Sequence, residues 1–137
     1  MTSSGLVETT FYNRTYDEAL AMTVEARDYV AEGLAADRET VAFGDRSLFD
    51  CEALRLTTRL SQVMAWLLVQ RAVHAGEIGI GELQDDSHRL DGREVCFDND
   101  VELVESLLPR FRSLMERSLK LYQRIAGLDE MVARDVS

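Results

Sequence analysis

Apolar side chains recur at helical spacing in three stretches of the chain, and each stretch has its own character. At about 100° per residue, Tyr16, Ala19, Met22, Thr23, Ala26, Val30 and Leu34 fall on one side of a helix, opposite Glu18, Glu25, Asp28 and Glu32. Thr15-Tyr16-Asp17-Glu18 reads as a capping box, so the first helix is predicted over residues 15–36. Ala19, Ala26 and Gly33 repeat every seventh residue and offer a shallow strip to a neighbouring helix. Residues 1–14 hold no sustained period and are expected to form a loose N-terminal arm.

The second stretch predicts a helix over 50–75 with two apolar stripes. Leu56, Leu60, Val63 and Leu67 form one; Leu54, Ala65, Leu68 and Ala72 form the other. So wide an arc is buried only against two neighbours, which places this helix at the centre of a bundle. Its remaining arc opens with Arg55, Thr58, Arg59 and Gln62 and then turns apolar at Trp66, Val69 and Val73. Two outcomes fit that change. Trp66 packs beneath a loop or the arm, or the distal arc is a twofold contact with Arg55, Arg59 and Gln62 at its rim. On the second, Arg55, Arg59, Gln62, Trp66, Val69 and Val73 are the protein-interaction residues of a homodimer. Gly76 fits the C′ position that ends the helix.

In the third stretch, Asp98-Asn99-Asp100 supplies N-cap candidates for a helix over 99–127. Val104, Phe111, Ser118 and Ile125 repeat every seven residues, as do Leu107, Leu114, Leu121 and Leu128. Leu108, Met115 and Tyr122 widen that seam into a face for two partner helices, more a bundle core than a zipper. Pro109 lacks a backbone donor and should kink or restart the helix. Arg110, Arg112, Arg117, Lys120 and Arg124 face outward, suited to solubility and to pairing with the acidic first helix. Residues 129–137 are expected to fray. The expectation is all-α: a three-helix bundle of long antiparallel helices in one domain spanning 1–137, assembled as a dimer.

Charge narrows the function. The net charge is -10, and residues 76–100 carry eight carboxylates against Arg89 and Arg93. Nucleic acid is thereby an unsuitable partner, since phosphate binding needs clustered Lys and Arg. The segment 76–98 is expected to be an acidic mobile linker, dispensable for folding from Gly79 to about Glu94, because it has little apolar surface to offset its ordering entropy. Its glycines do not make a phosphate loop: Gly76-Glu-Ile-Gly-Ile-Gly-Glu-Leu83 lacks the Gly-Lys-Ser/Thr ending. Asp85, Asp86, His88, Asp91 and Cys96 match neither the EF-hand order nor zinc spacing, so no metal or other cofactor is expected. His74 has no Cys or Ser partner in a recognisable motif and reads as a half-buried helix-end residue. A hydrolase built from the acidic loop and His88 ranks last, since it needs polar groups converging in a pocket. The longest apolar run, Val63 to Val69, is too short for a membrane span, and the chain does not start like a secreted one. A cytoplasmic protein with Cys51 and Cys96 as free thiols is expected.

Residues 47–78 carry a resemblance, strongest at Leu54-Arg-Leu-Thr-Thr-Arg-Leu60 and Trp66-Leu-Leu-Val-Gln-Arg-Ala-Val73. There the chain resembles the RcdA family, small alphaproteobacterial proteins whose best-known role is regulating CtrA degradation. The resemblance implies a dimerising three-helix bundle without enzymatic activity. It implies an adaptor that helps deliver CtrA-like substrates to the ClpXP protease, together with a response-regulator-like priming factor and a cyclic-di-GMP-binding partner. The competing expectation is a structural homodimer with an unrelated protein-interaction role.

Overall fold

The structure, a computed structural model, describes residues 2–79, 88–98 and 100–136, with side chains from Thr10 to Asp135. Among these residues there is no strand. The elements run α1 (Thr2–Glu32), α2 (Leu34–Glu39), a 3-10 turn (Phe43–Asp45), α3 (Arg46–His74), α4 (Arg93–Cys96), α5 (Val101–Ser106) and α6 (Pro109–Val136). The long helices α1, α3 and α6 share one core, with α3 packed on both of the others.

Helix α1 buries Tyr12, Ala19, Met22, Ala26 and Tyr29. It begins at Thr2, where a loose arm was expected over 1–14. The expected N-cap Thr15 sits inside the helix, buried, because Tyr12 extends the core stripe backwards from Ala19. Tyr12 stacks on His74 and meets Trp66 edge-on, which anchors this end of α1 to α3. On the opposite flank of α1, Glu18 meets Arg124 at 2.8 Å, Glu25 meets Arg117 at 2.5 and 2.8 Å, and Glu32 meets Arg110 at 3.1 Å. Residue numbers therefore descend along α6 as they climb along α1. Arg117, hydrogen-bonded to Glu25, holds that carboxyl below the usual range.

Helix α3 ends as its sequence predicts. The Gly76 N–H donates to Val73 O at 3.0 Å and the Glu77 N–H to Ala72 O at 2.9 Å, with Gly76 at φ +79°. That is the double-bonded glycine cap that only a residue tolerant of positive φ makes without strain. Asp100 caps α5 by accepting from the Leu103 N–H at 3.1 Å. The predicted interruption falls at Pro109, which opens α6 at the position where its missing donor costs nothing. Both heptad rows of the third stretch are buried except Leu128, which is half-buried.

Two further expectations need correcting. The tail predicted to fray from 129 is helical to Val136, and Asp129 within it is 2% exposed. Residues 88–98, assigned to a mobile linker, pack instead against α3 and α6, with Leu90 and Cys96 buried. The remainder of that expectation, residues 80–87 with Glu82, Asp85 and Asp86, lies outside the described residues, as does Asn99 of the cap triplet.

Candidate interaction surface

The two flanks of α3 meet different fates. One flank carries Glu52, Arg59, Trp66 and Gln70, all buried. Arg59 is fully enclosed: Nε donates to Cys96 O at 2.8 Å, Nη2 to Asp98 O at 2.9 Å, and Nη1 to Met115 O at 3.1 Å and Ser118 Oγ at 3.2 Å. A planar guanidinium with five donors suits such a task, since it reaches the Cys96 and Asp98 carbonyls and two groups of α6 at once. Burial pulls its pKa below the usual arginine range, and Glu52 opposes that shift. Arg55 donates to Val95 O at 2.9 Å and pairs with Glu52 and Asp98. Gln62 accepts the Asp91 N–H at 3.1 Å.

Further along, Trp66 Nε1 donates to Asp129 at 3.0 Å. The same carboxylate accepts from Arg89 Nε, from the Leu90 N–H at 3.3 Å and from Arg93 Nη2 at 2.9 Å. Tyr122 closes the arrangement by donating to Asp91 O at 2.6 Å. Residues 88–98 thus form a strap, stitched to α3 by Arg55, Arg59 and Gln62 and to α6 by Asp129 and Tyr122. Within the strap, Gly92 sits at φ +76°, and a Cβ there would stand 3.2 Å from Cys96 Sγ. Burial pushes the Cys96 thiol up.

This corrects the expected contact surface. Arg55, Arg59, Gln62 and Trp66 were expected at the rim and centre of a contact between copies; they grip the chain's own strap, and Trp66 takes the other outcome, beneath a loop. The reason is the strap's irregular backbone, whose carbonyls need donors once water is excluded. Val69 and Val73 are half-buried, and Val69 lines a small cavity of about 230 Å³ beside His88 and Arg89.

The other flank of α3 was expected to be buried and is open. Leu54 is 68% exposed and Leu68 49%, with Ala65 exposed between them. Since α6 and the strap occupy the polar flank, none of the described residues covers this apolar one. Across from it, α1 presents Val30, 50% exposed, and Leu20. Between the two helices runs a groove of about 480 Å³, walled by Ala26, Val30, Leu56, Thr57, Leu60 and Met64. Thr23 and Thr57, both on its edges, donate their hydroxyls to carbonyls of their own helices, leaving methyl groups for the wall. One turn beyond Leu68, Arg71 lies over the Tyr16 ring at 4.3 Å. It opens into a second cavity of about 420 Å³ with Tyr12, Asn13, Leu68 and Ala72. Sequence reasoning missed this groove because it assigned Leu54 and Leu68 to the core; the missed signal was Arg59, which lies one turn from Leu56 on the flank that α6 takes.

Among the described residues, no three His, Cys, Asp or Glu side chains come together as a metal site, and no helix is long and apolar enough to cross a membrane. Largely apolar walls, with Arg27 on the α1 side and Arg71 in the adjoining cavity, have the chemistry of a contact surface.

A family model described as "Protein of unknown function (DUF1465)" matches residues 3–137. The chain belongs to this family, the family of RcdA. Among solved structures, RcdA from Caulobacter crescentus CB15 is similar at a TM-score of 0.67 and 28% identity, over 88% of this chain and 89% of that one. No curated protein matches. The similarity spans all three long helices, well beyond residues 47–78.

Proposed function

We propose that this protein is a non-enzymatic adaptor in regulated proteolysis, a cytoplasmic homodimer that helps deliver a CtrA-like transcription regulator to ClpXP. The observation that carries this reading is the likeness to RcdA over nearly the whole of both chains. The open α1–α3 groove supports it, because an adaptor needs surface that its own fold does not consume. A response-regulator-like priming factor and a cyclic-di-GMP-binding protein are its companions in this reading. The test is reconstituted degradation of a CtrA-like substrate by ClpXP with the priming factor and the cyclic-di-GMP-binding protein present. Adding this protein should accelerate substrate loss; an unchanged rate with every component active would overturn the reading.

A structural homodimer with an unrelated interaction role is the second reading, favoured by the exposed Leu54 and Leu68, which a second copy can also cover. Sedimentation velocity combined with the degradation assay separates the two: this reading expects a dimer that leaves substrate lifetime untouched.

A further inference from the structure

Three seams separate the long helices, and two are closed. The α1–α6 seam is bridged by Glu18–Arg124, Glu25–Arg117 and Glu32–Arg110. The α3–α6 seam lies under the strap held by Arg59 and Asp129. Among the described residues, the α1–α3 seam beyond its Tyr12 and Tyr16 contacts has no such cover, and it is apolar on both rims, at Leu20 and Val30 on one side and Leu68 on the other.

Charge says what kind of occupant fits. The chain carries a net charge of -10, yet between Asp50 and Glu77 its only carboxylate is Glu52, buried on the opposite flank of α3 and paired with Arg55. The α3 wall of the groove is thus free of acids while the rest of the surface is rich in them. At its end stands Arg71, whose interaction among the described residues is with the Tyr16 ring rather than with a carboxylate. Glu77 lines the same cavity without forming an ion pair with it. On the α1 wall, Arg27 is paired with its neighbour Asp28. A second copy brought face to face with this seam would set one acid-free α3 wall against another. A partner that brings its own carboxylate does not.

We propose that the α1–α3 groove docks an amphipathic helical segment of a partner protein, with its apolar side chains along Val30, Leu60 and Met64 and a flanking carboxylate on Arg71. The inference rests on the adaptor reading and names the surface that reading needs. A helix is the fitting shape, since the groove runs between two helices, and Met64, Leu68 and Arg71 follow one another in successive turns of α3 from the groove to the adjoining cavity. The cation sets orientation and partner choice more than affinity, because it stands at the rim.

The probe is a short synthetic helix with leucines at i, i+4 and i+7 and glutamates in its last turn, together with a twin carrying lysines there. Binding is followed by fluorescence anisotropy and by the methyl resonance of Met64. The glutamate peptide should bind saturably and shift that methyl. Arg71→Glu should weaken it about tenfold and transfer preference to the lysine peptide, with circular dichroism unchanged. Equal affinity of both peptides for both proteins, or a Met64 methyl that does not move, overturns the inference. So does a methyl shift that follows protein concentration without peptide, which would make a second copy the occupant. The degradation assay keeps the two readings apart. If wild type, Arg71→Glu and Met64→Asp all support degradation equally, the groove assignment falls and the adaptor stands. If wild type supports none while the charge swap holds, the adaptor falls and the groove stands.

Discussion

The two flanks of α3 invert the usual relation between polarity and burial. The flank bearing Arg55, Arg59, Gln62 and Gln70 is covered; the flank bearing Leu54, Ala65, Leu68 and Ala72 is largely open. A polar side chain is buried at little cost when its donor nitrogens have acceptors, and all three nitrogens of Arg59 do. An apolar side chain stays in water when no second element of the chain reaches it. The comparison teaches that burial on this helix follows the supply of partners, and that hydrophobicity on the open flank marks a surface held for something else.

The largest effect should come from breaking the covered flank. Replacing Trp66 by Asp places a carboxylate against Asp129 in the interior, and the chain should unfold rather than become a folded monomer; circular dichroism and sedimentation velocity read the difference. Arg59→Ala strands the Cys96 and Asp98 carbonyls and should cost about 3–5 kcal/mol in urea denaturation. Asp129→Asn removes the charge that gathers Arg89 and Arg93, with an expected loss of roughly 1–3 kcal/mol and faster hydrogen exchange at Leu90. Leu54→Ser, on the open flank, should change stability by less than about 0.5 kcal/mol. A loss of several kcal/mol there would mean that the two flanks are not different in kind.

Much of this was legible in the sequence. The heptads of Leu114, Leu121 and Leu128 reported α6, Gly76 reported the end of α3, and Pro109 reported the start of α6, because each is a local rule acting over one or two turns. The acidic row of α1 and the basic row of α6 likewise found each other. What local rules do not carry is a contact whose partner is distant. Arg59 meets Cys96, Asp98 and Met115, and Trp66 meets Asp129, across loops that no periodicity spans. Their burial therefore looked like exposure, and the Leu54–Leu68 stripe was assigned to the core in their place. Thr15 misled differently: its capping pattern is real, but Tyr12 continues the core stripe upstream of it.

Titration sharpens the contrast further. Burial raises the phenols of Tyr29 and Tyr122, the first hydrogen-bonded to Asp37 and the second beside the Cys96 thiol. A raised acid binds more protons folded than unfolded, so the associated stability is present below the free tyrosine pKa of about 10 and declines as pH rises beyond it. Absorbance of phenolate at these two positions should appear together with loss of helical signal. Glu25 has the opposite sign: its lowered pKa contributes above the ordinary carboxylate range and is lost in acid, and its half-exposed position makes that effect the smaller one. In thiol labelling of the native protein, Cys51 should react promptly and Cys96 only on unfolding.

The ion pairs between α1 and α6 also act as a ruler. Glu18, Glu25 and Glu32 share a spacing of seven with Arg110, Arg117 and Arg124. Sliding one helix by about half that spacing breaks all three pairs, but brings Asp28 opposite Arg117 and Lys120 opposite Glu25. Sliding it by a full seven restores two of the three pairs, so charge alone does not select the register. That choice falls to shape: Phe111 fits between Tyr29 and Phe49, with ring centres 5.2 and 5.0 Å away, and a full slip would pull it out of both. The charges allow several registers, and one aromatic wedge decides which is taken.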